Sequence, residues 1–359
     1  MRLDRLRIQG LRCLHDVDLA LAPGVNVFVG ANGAGKTSVL EAAFLLSHGR
    51  SFRSGAREAL LERGASRLSV FTELRQSGDR LLRLGLGREA SRWEARLEGK
   101  DATLGELIAE CAVVCFEPGS HALIAGAAEE RRRFLDWGVF HVEHDFLGVW
   151  RRYQRALKQR NALLRAGADS NTPLFDSWEV ELAGLAEWID NQRREYLERL
   201  RTRVRACLGT LLPELGEAEL HYRRGWGEGQ DLRAQLATQR GRDLARGHTS
   251  LGAHRADWSL AFPHAPQREH LSRGQEKLTA LGCMLAQARL FAEQHGNWPV
   301  ICLDDLASEL DEVHQSAVIA QFAECGAQVL VTGTSPPESL RRLPHHMFHV
   351  EQGRVTPLL

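Results

Sequence analysis

The segment Gly30-Ala31-Asn32-Gly33-Ala34-Gly35-Lys36-Thr37 constrains this chain more than any other. It fits the phosphate-loop pattern GxxxxGK[ST] in full. It also stands in the context the pattern requires. The apolar run 25–29 reads as a buried strand before it, and residues 38–46, with Val39, Leu40, Ala43 and Leu46 on one stripe, read as a helix after it. Glycines allow the backbone N–H groups of such a loop to turn inward around phosphate oxygens, and the start of the helix adds the positive end of its dipole. Gly30, Ala31, Asn32, Gly33, Ala34, Gly35, Lys36, Thr37 and Ser38 are therefore candidate nucleotide-binding residues. Lys36 is placed for the β and γ oxygens, and the Thr37 hydroxyl is placed for Mg²⁺.

Two further stretches fit the same chemistry. Val300-Ile301-Cys302-Leu303 is an apolar strand that ends in Asp304-Asp305. In a phosphate-loop protein that is the Walker B arrangement, with Asp304 holding Mg²⁺, directly or through water. Asp305 is the candidate catalytic residue that polarises the attacking water, and Lys36 is the second catalytic candidate. Leu271-Ser272-Arg273-Gly274-Gln275 opens a helix with Ser272 as its N-cap. It reads as the ABC signature, with Arg273 in place of a glycine. In that reading Ser272, Gly274 and Gln275 reach the nucleotide of a second protomer, so ATP would join a homodimer. Asp311, which closes Ser308-Glu309-Leu310-Asp311, is a further nucleotide-site candidate.

Composition removes other classes. The chain has 359 residues, 43% of them hydrophobic, and a formal net charge of zero. That apolar content argues against disorder. A dedicated nucleic-acid module often has a pI above about 9, so any DNA binding here must come from local basic patches. Only four of the 46 basic residues are lysine, Lys36, Lys100, Lys158 and Lys277. The longest uncharged stretch, 19–35, is broken by Pro23 and glycines, so no membrane span is expected. Neither a secretory signal nor a cysteine framework stands out among the seven scattered cysteines, and a cytoplasmic location is the default expectation. No His/Cys cluster has metal-site spacing.

Strand and helix signals alternate at both ends of the chain. Residues 69–74 and 93–97 read as antiparallel strands turning at Gly78 and Gly99, and 111–116 as a buried strand. Between 129 and 212 the texture turns helical, with residues 129–165 and 175–212 as an antiparallel hairpin, and 213–247 resist assignment. Later come a helix at 272–294, a strand at 300–303, a helix at about 312–324 and a strand at 328–332. The expected fold class is α/β: the strand–helix units of 1–125 and 248–359 favour a mostly parallel sheet with helices on its faces, and a helical insert at 126–247 lies between them.

At this point the chain resembles a known family. The loop version Gly30-x-Asn32-Gly33-x-Gly35-Lys36-Thr37 is that of SMC-type ABC ATPases, and Leu6-x-Ile8-x-Gly10-x-Arg12 is similar to their N-terminal strand and its arginine. Gly49-Arg50-Ser51-Phe52-Arg53, Glu130-Arg131-Arg132-Arg133-Phe134-Leu135-Asp136, Lys158-Gln159-Arg160-Asn161 and Gly252-Ala253-His254-Arg255-Ala256-Asp257 together resemble the RecF family over essentially the whole chain. The resemblance implies an ABC-type phosphate-loop ATPase head, a mixed sheet with helices, from 1–125 and 248–359, with an inserted α-helical arm domain at 126–247. It also implies an ATP-gated dimer that binds gapped DNA, hydrolyses ATP slowly, and with RecO and RecR helps to place RecA. It also implies Arg12 as a nucleotide-site residue.

Three positions depart from the wider ABC pattern. Arg273 replaces glycine, Asp305 stands where glutamate is usual, and Thr334 is the nearest equivalent of the missing switch histidine. Glu117 is a poor substitute for the glutamine expected in its region. Arg151, Arg155 and Lys158 share a helical face in a stretch that also holds Arg152, Arg160 and Arg165 and no acid, and they are the candidate DNA contacts. The competing readings are the ATPase subunit of a membrane transporter and a small-molecule kinase. In transporters the loop and signature lie closer together by family expectation. A kinase leaves the signature and Ser308–Asp311 stretches unexplained.

Overall fold

The computed structural model describes residues 1–53, 60–89, 92–338, 340 and 344–358. Contacts divide the chain into two compact units, Met1–Ser120 with Ala280–Leu359, and His121–Thr279. The first unit begins with β1 (Arg2–Leu11), β2 (Leu14–Ala20), β3 (Val25–Val29), α1 (Lys36–His48), β4 (Arg67–Arg75), β5 (Leu81–Glu89), β6 (Arg92–Leu97), β7 (Lys100–Ala102), α2 (Leu104–Glu110) and β8 (Val113–Phe116). The second holds α3 (Ala122–Ala125), α4 (Ala128–Val142), α5 (Phe146–Arg165), α6 (Pro173–Leu211), β9 (Glu219–Arg223), α7 (Leu232–Arg246) and β10 (Asp257–Ala261). Helix α8 (Arg273–His295) carries the chain back to the first unit, which ends with β11 (Val300–Leu303), α9 (Leu306–Glu309), α10 (Glu312–Glu324), β12 (Val329–Gly333), β13 (His345–Glu351) and β14 (Arg354–Leu358).

The first unit contains two six-stranded sheets. One is antiparallel, in the order β2-β1-β4-β5-β6-β7. The other, β14-β13-β3-β12-β11-β8, is parallel except for its edge strand β14. Strands β3, β8, β11 and β12 are buried along their whole length, which is why they read as continuous apolar runs and not as alternations. Helix α1 packs against strands of both sheets, so eleven of its thirteen residues are buried, far more than the single stripe the sequence suggested. A buried amide joins the layers. Gln328 accepts from the Leu3 N–H at 2.8 Å and donates to the Leu3 and Ala22 carbonyls.

The second unit departs from the sequence reading in three places. Residues 129–165 form two helices, not one, broken where Glu143 turns extended and accepts from the Phe146 N–H. The break lets α4 pack on α6 and β10 while α5 runs along α6, which one straight helix could not do. Residues 213–247 do contain structure, β9 and α7, the latter capped by the Asp231 carboxylate on the Arg233 and Ala234 N–H groups and closed by left-handed Gly247. Finally, β10 pairs with β9 (Trp258 opposite Tyr222, Leu260 opposite Leu220), so residues 248–279, grouped with the head in the sequence reading, fold with the second unit.

Arginines hold this unit together. Arg160, fully buried, bonds Glu179 at 3.0 Å, Asp243 at 2.7 Å and the Thr249 hydroxyl at 3.0 Å. It therefore cannot belong to the basic surface that its sequence neighbours suggested. Asn161 accepts from both the N–H and the hydroxyl of Thr249. Arg131 makes a bidentate pair with Asp257, and Arg193 joins Asp136 to the Ala253 carbonyl. The motifs around 131–136, 160–161 and 252–257 thus meet through charge-assisted hydrogen bonds. Replacing Arg160 by Met would leave Asp243 in the interior without its countercharge. Denaturant unfolding should show a loss of about 3–5 kcal/mol, and an unchanged midpoint would remove Arg160 as the keystone of this unit.

Candidate nucleotide-binding site

The phosphate loop runs from the C-terminal end of β3 into α1, and neighbouring backbone presses on it. A Cβ on Gly30 would overlap the Val350 carbonyl oxygen of β13. Gly35 lies at φ +115°, where a Cβ would come 2.9 Å from Cys13 Sγ. The Gly353 N–H donates to the Ala34 carbonyl at 2.9 Å, so the β13–β14 hairpin backs the loop. The sequence reading passed over this C-terminal hairpin, although Gln352-Gly353, both at positive φ, is a turn signal.

Lys36 is buried and its ammonium donates to the Gly30 and Ala31 carbonyls, each at 2.8 Å. The Thr37 hydroxyl donates to Asp304 Oδ1 at 2.8 Å, and the Thr332 hydroxyl donates to the same oxygen at 2.7 Å. Thr332 Oγ1 in turn accepts from the Asp305 N–H at 2.9 Å. Burial raises the Asp304 carboxyl above the usual carboxylate range, and the two hydroxyls relieve that only in part. A divalent cation would favour its charged form. The hydroxyl-plus-carboxylate donor set beside a phosphate loop suits Mg²⁺, which is held by one or two protein oxygens together with substrate phosphates.

Asp305 is half-buried, and among the described residues its carboxylate has no hydrogen-bond partner. Its backbone is left-handed, φ 50°, a conformation that costs a non-glycine residue about 1–3 kcal/mol and is often kept at functional positions. Arg12, also at φ 58°, forms a bidentate pair with fully buried Glu41 at 2.7 and 3.0 Å, and Ser51 bonds the same carboxylate. These residues converge on a cleft of about 350 Å³ whose walls include Arg12, Asn32, Lys36, Arg53, Asp304, Asp305 and Thr332.

Not every sequence candidate comes to this cleft. Thr332, two residues before the expected switch equivalent, holds the two acids, while Thr334 is exposed. The signal for Thr332 was its place at the end of an apolar strand, but only the strand order puts β12 beside β11. Asp311 is outside the cleft lining. It caps α10, accepting from the His314 N–H at 2.9 Å, and this bond together with the His314 ring lowers its carboxyl pKa. Glu117 turns back on its own loop to accept from the Gly119 N–H. Ser272 and Gln275 form a reciprocal cap at the start of α8, within the second unit, with Gln275 also reaching Glu214 at 3.3 Å. Gly274 stands between them in the first turn of α8. Arg151, Arg155 and Lys158 are exposed on α5 and make no ion pair among the described residues, whereas Arg152 pairs with Glu181.

Comparison with known proteins agrees with this geometry. A family model described as the RecF/RecN/SMC N terminal domain matches residues 2–352. The DNA replication and repair protein RecF of Stenotrophomonas maltophilia is 48% identical, with 99% of both chains covered. That of Xanthomonas euvesicatoria is 49% identical over 99% of this chain and 98% of its own, and that of Shewanella baltica 38% over 99% of both. Among solved structures, the recombination mediator protein RecF with ATP, in the RecFOR pathway, superposes with a TM-score of 0.90 at 25% identity, covering 99% of this chain and 97% of its own. An SMC head bound to the C-terminal winged-helix domain of ScpA shares the fold alone, with a TM-score of 0.59 at 16% identity over 100% of this chain and 98% of its own. No helix among the described residues is long and apolar enough to cross a membrane. The whole-length similarity to RecF proteins does not favour the transporter reading. With its phosphate loop, Walker B acids and whole-length similarity to these proteins, the chain belongs to the RecF family of SMC-type ABC ATPases.

Proposed function

We propose that this protein is an ATP-gated DNA-binding switch of recombinational repair and replication, with a slow Mg²⁺-dependent ATPase. The observation that carries the reading is the shared Asp304 oxygen, which joins the phosphate-loop Thr37 to the Walker B strand. Thr37 and Asp304 would hold Mg²⁺, which when bound neutralises charge on the nucleotide's phosphate oxygens. Lys36 and the loop N–H groups would bind the phosphates, Arg12 would line the same cleft, and Asp305 would accept the proton of the attacking water. Aspartate is one methylene shorter than glutamate, and the switch histidine is absent. Both features favour slow turnover and a long-lived ATP state. Ser272, Gly274, Gln275 and Asp311 make no contact in this cleft, and in the proposal they complete the nucleotide site of a second protomer. The first unit then serves as the ATPase head and the helices of the second as its arm. RecO and RecR, and through them RecA, are the partners the family relationship suggests, on gapped DNA in the cytoplasm.

Lys36→Ala should weaken ATP binding and abolish ATP-driven dimerisation in light scattering. A variant that still dimerises with ATP would remove the composite site. Asp305→Asn should bind ATP normally and lengthen the dimer lifetime, and a shortened lifetime would mean that Asp305 is not the base. Fluorescence anisotropy on gapped DNA, at several salt concentrations, should show tight binding with ATP and weak binding with ADP or no nucleotide. Changing Arg151, Arg155 and Lys158 together to Gln should make the logarithmic salt dependence shallower by about 2–3. An unchanged slope would move the DNA contact away from α5.

A further inference from the structure

The second unit contains an open cavity of about 410 Å³ that the ATPase chemistry does not use. Its walls come from α4, α5, α6 and the loop at 252–257, and all but α6 carry family-like motifs outside the nucleotide site. That volume lies within the range of small-ligand pockets. The cavity's polar groups divide into two sets. One set is fully engaged. Arg193 is held by Asp136 and the Ala253 carbonyl, and the Tyr153 hydroxyl meets His254 Nδ1 at 2.6 Å while accepting from the His254 N–H. His254 Nε2 lies 3.1 Å from the Thr249 carbonyl, and burial lowers its pKa to about 4, so the imidazole is neutral at physiological pH.

The other set is not engaged. Arg132 donates through Nη1 to the Ala256 carbonyl at 2.9 Å, and among the described residues it makes no other hydrogen bond and no ion pair. Every carboxylate near it is committed elsewhere: Asp257 to Arg131, Asp136 to Arg193, and Glu129 to Arg133. Partial burial and the neighbouring Arg193 disfavour its charge more than Asp257, Asp136 and Glu129 favour it. Trp150 and Gln154, both half-buried, line the same cavity, and among the described residues neither side chain makes a hydrogen bond to the protein. A half-buried guanidinium with no ion-pair partner among the described residues, a flat indole and an amide are what a phosphate attached to a planar base would use.

We propose that this cavity is a binding site for a nucleotide unit, with Arg132 on the phosphate, Trp150 against the base and Gln154 on a polar edge. The unit is either a free nucleoside monophosphate or the 5′-phosphorylated end of a DNA strand. The site is independent of the phosphate loop, so its test uses the full chain carrying Lys36→Ala. Calorimetric titration with dTMP, inorganic phosphate and short single strands with and without a 5′-phosphate should show saturable binding of one unit per chain. Binding of dTMP assigns the free nucleotide. Binding of the phosphorylated strand alone assigns the strand end. Arg132→Gln and Trp150→Leu should each weaken binding about tenfold. Gln154→Glu, which loses no protein contact and adds an anion to the wall, should abolish it while thermal melting stays unchanged. No saturable binding of dTMP or phosphorylated strand overturns the proposal. So does inorganic phosphate binding as tightly as dTMP, or binding that survives Gln154→Glu.

Discussion

One carboxylate oxygen, Asp304 Oδ1, organises the nucleotide site. It accepts from Thr37 at the start of α1 and from Thr332 at the end of β12, and Asp304 itself ends β11. Three segments that share no sequence neighbourhood therefore meet at one buried acceptor. The arrangement depends on the parallel order β3-β12-β11, which brings the C-terminal ends of these strands to one edge of the sheet. Ligands gather at that edge in open α/β sheets for the same reason. The two hydroxyls satisfy the hydrogen-bonding capacity of Asp304 Oδ1, and burial still raises the carboxyl's pKa.

The second unit solves a different problem. Its helices are rich in arginine, and several guanidiniums point inward. Arg131, Arg160 and Arg193 are each buried and each bonded to carboxylates and to backbone or hydroxyl oxygens. Such pairs demand good geometry, because an unpaired buried charge costs several kcal/mol. They fix the loop at 249–257 against α4, α5 and α6. Arg132 is the exception in this set, and its incomplete bonding draws attention to the cavity beside it.

Local signals were strong enough to reveal the loop, the Walker B strand, the cap at Ser272 and most strands and helices. In each case the pattern is set by neighbours within a few residues. The break at 143–145 was hidden because helical periodicity continues on both sides of it. The burial of Arg160 was hidden because Arg151, Arg155 and Lys158, in the same stretch and equally basic in sequence, are exposed. Residue type alone cannot say which face of a helix meets a carboxylate, since Glu179 and Asp243 lie far along the chain.

By itself the sequence determined the phosphate-loop pattern and the strand and helix that flank it, because both are set by consecutive residues. Only the tertiary structure decided that Thr332 bonds both Asp304 and Asp305, that the C-terminal hairpin supports the loop, and that residues 248–279 fold with the helices. Each of these depends on strand pairing or side-chain contact between distant segments, and the energy of such contacts is defined only once the chain has brought them together.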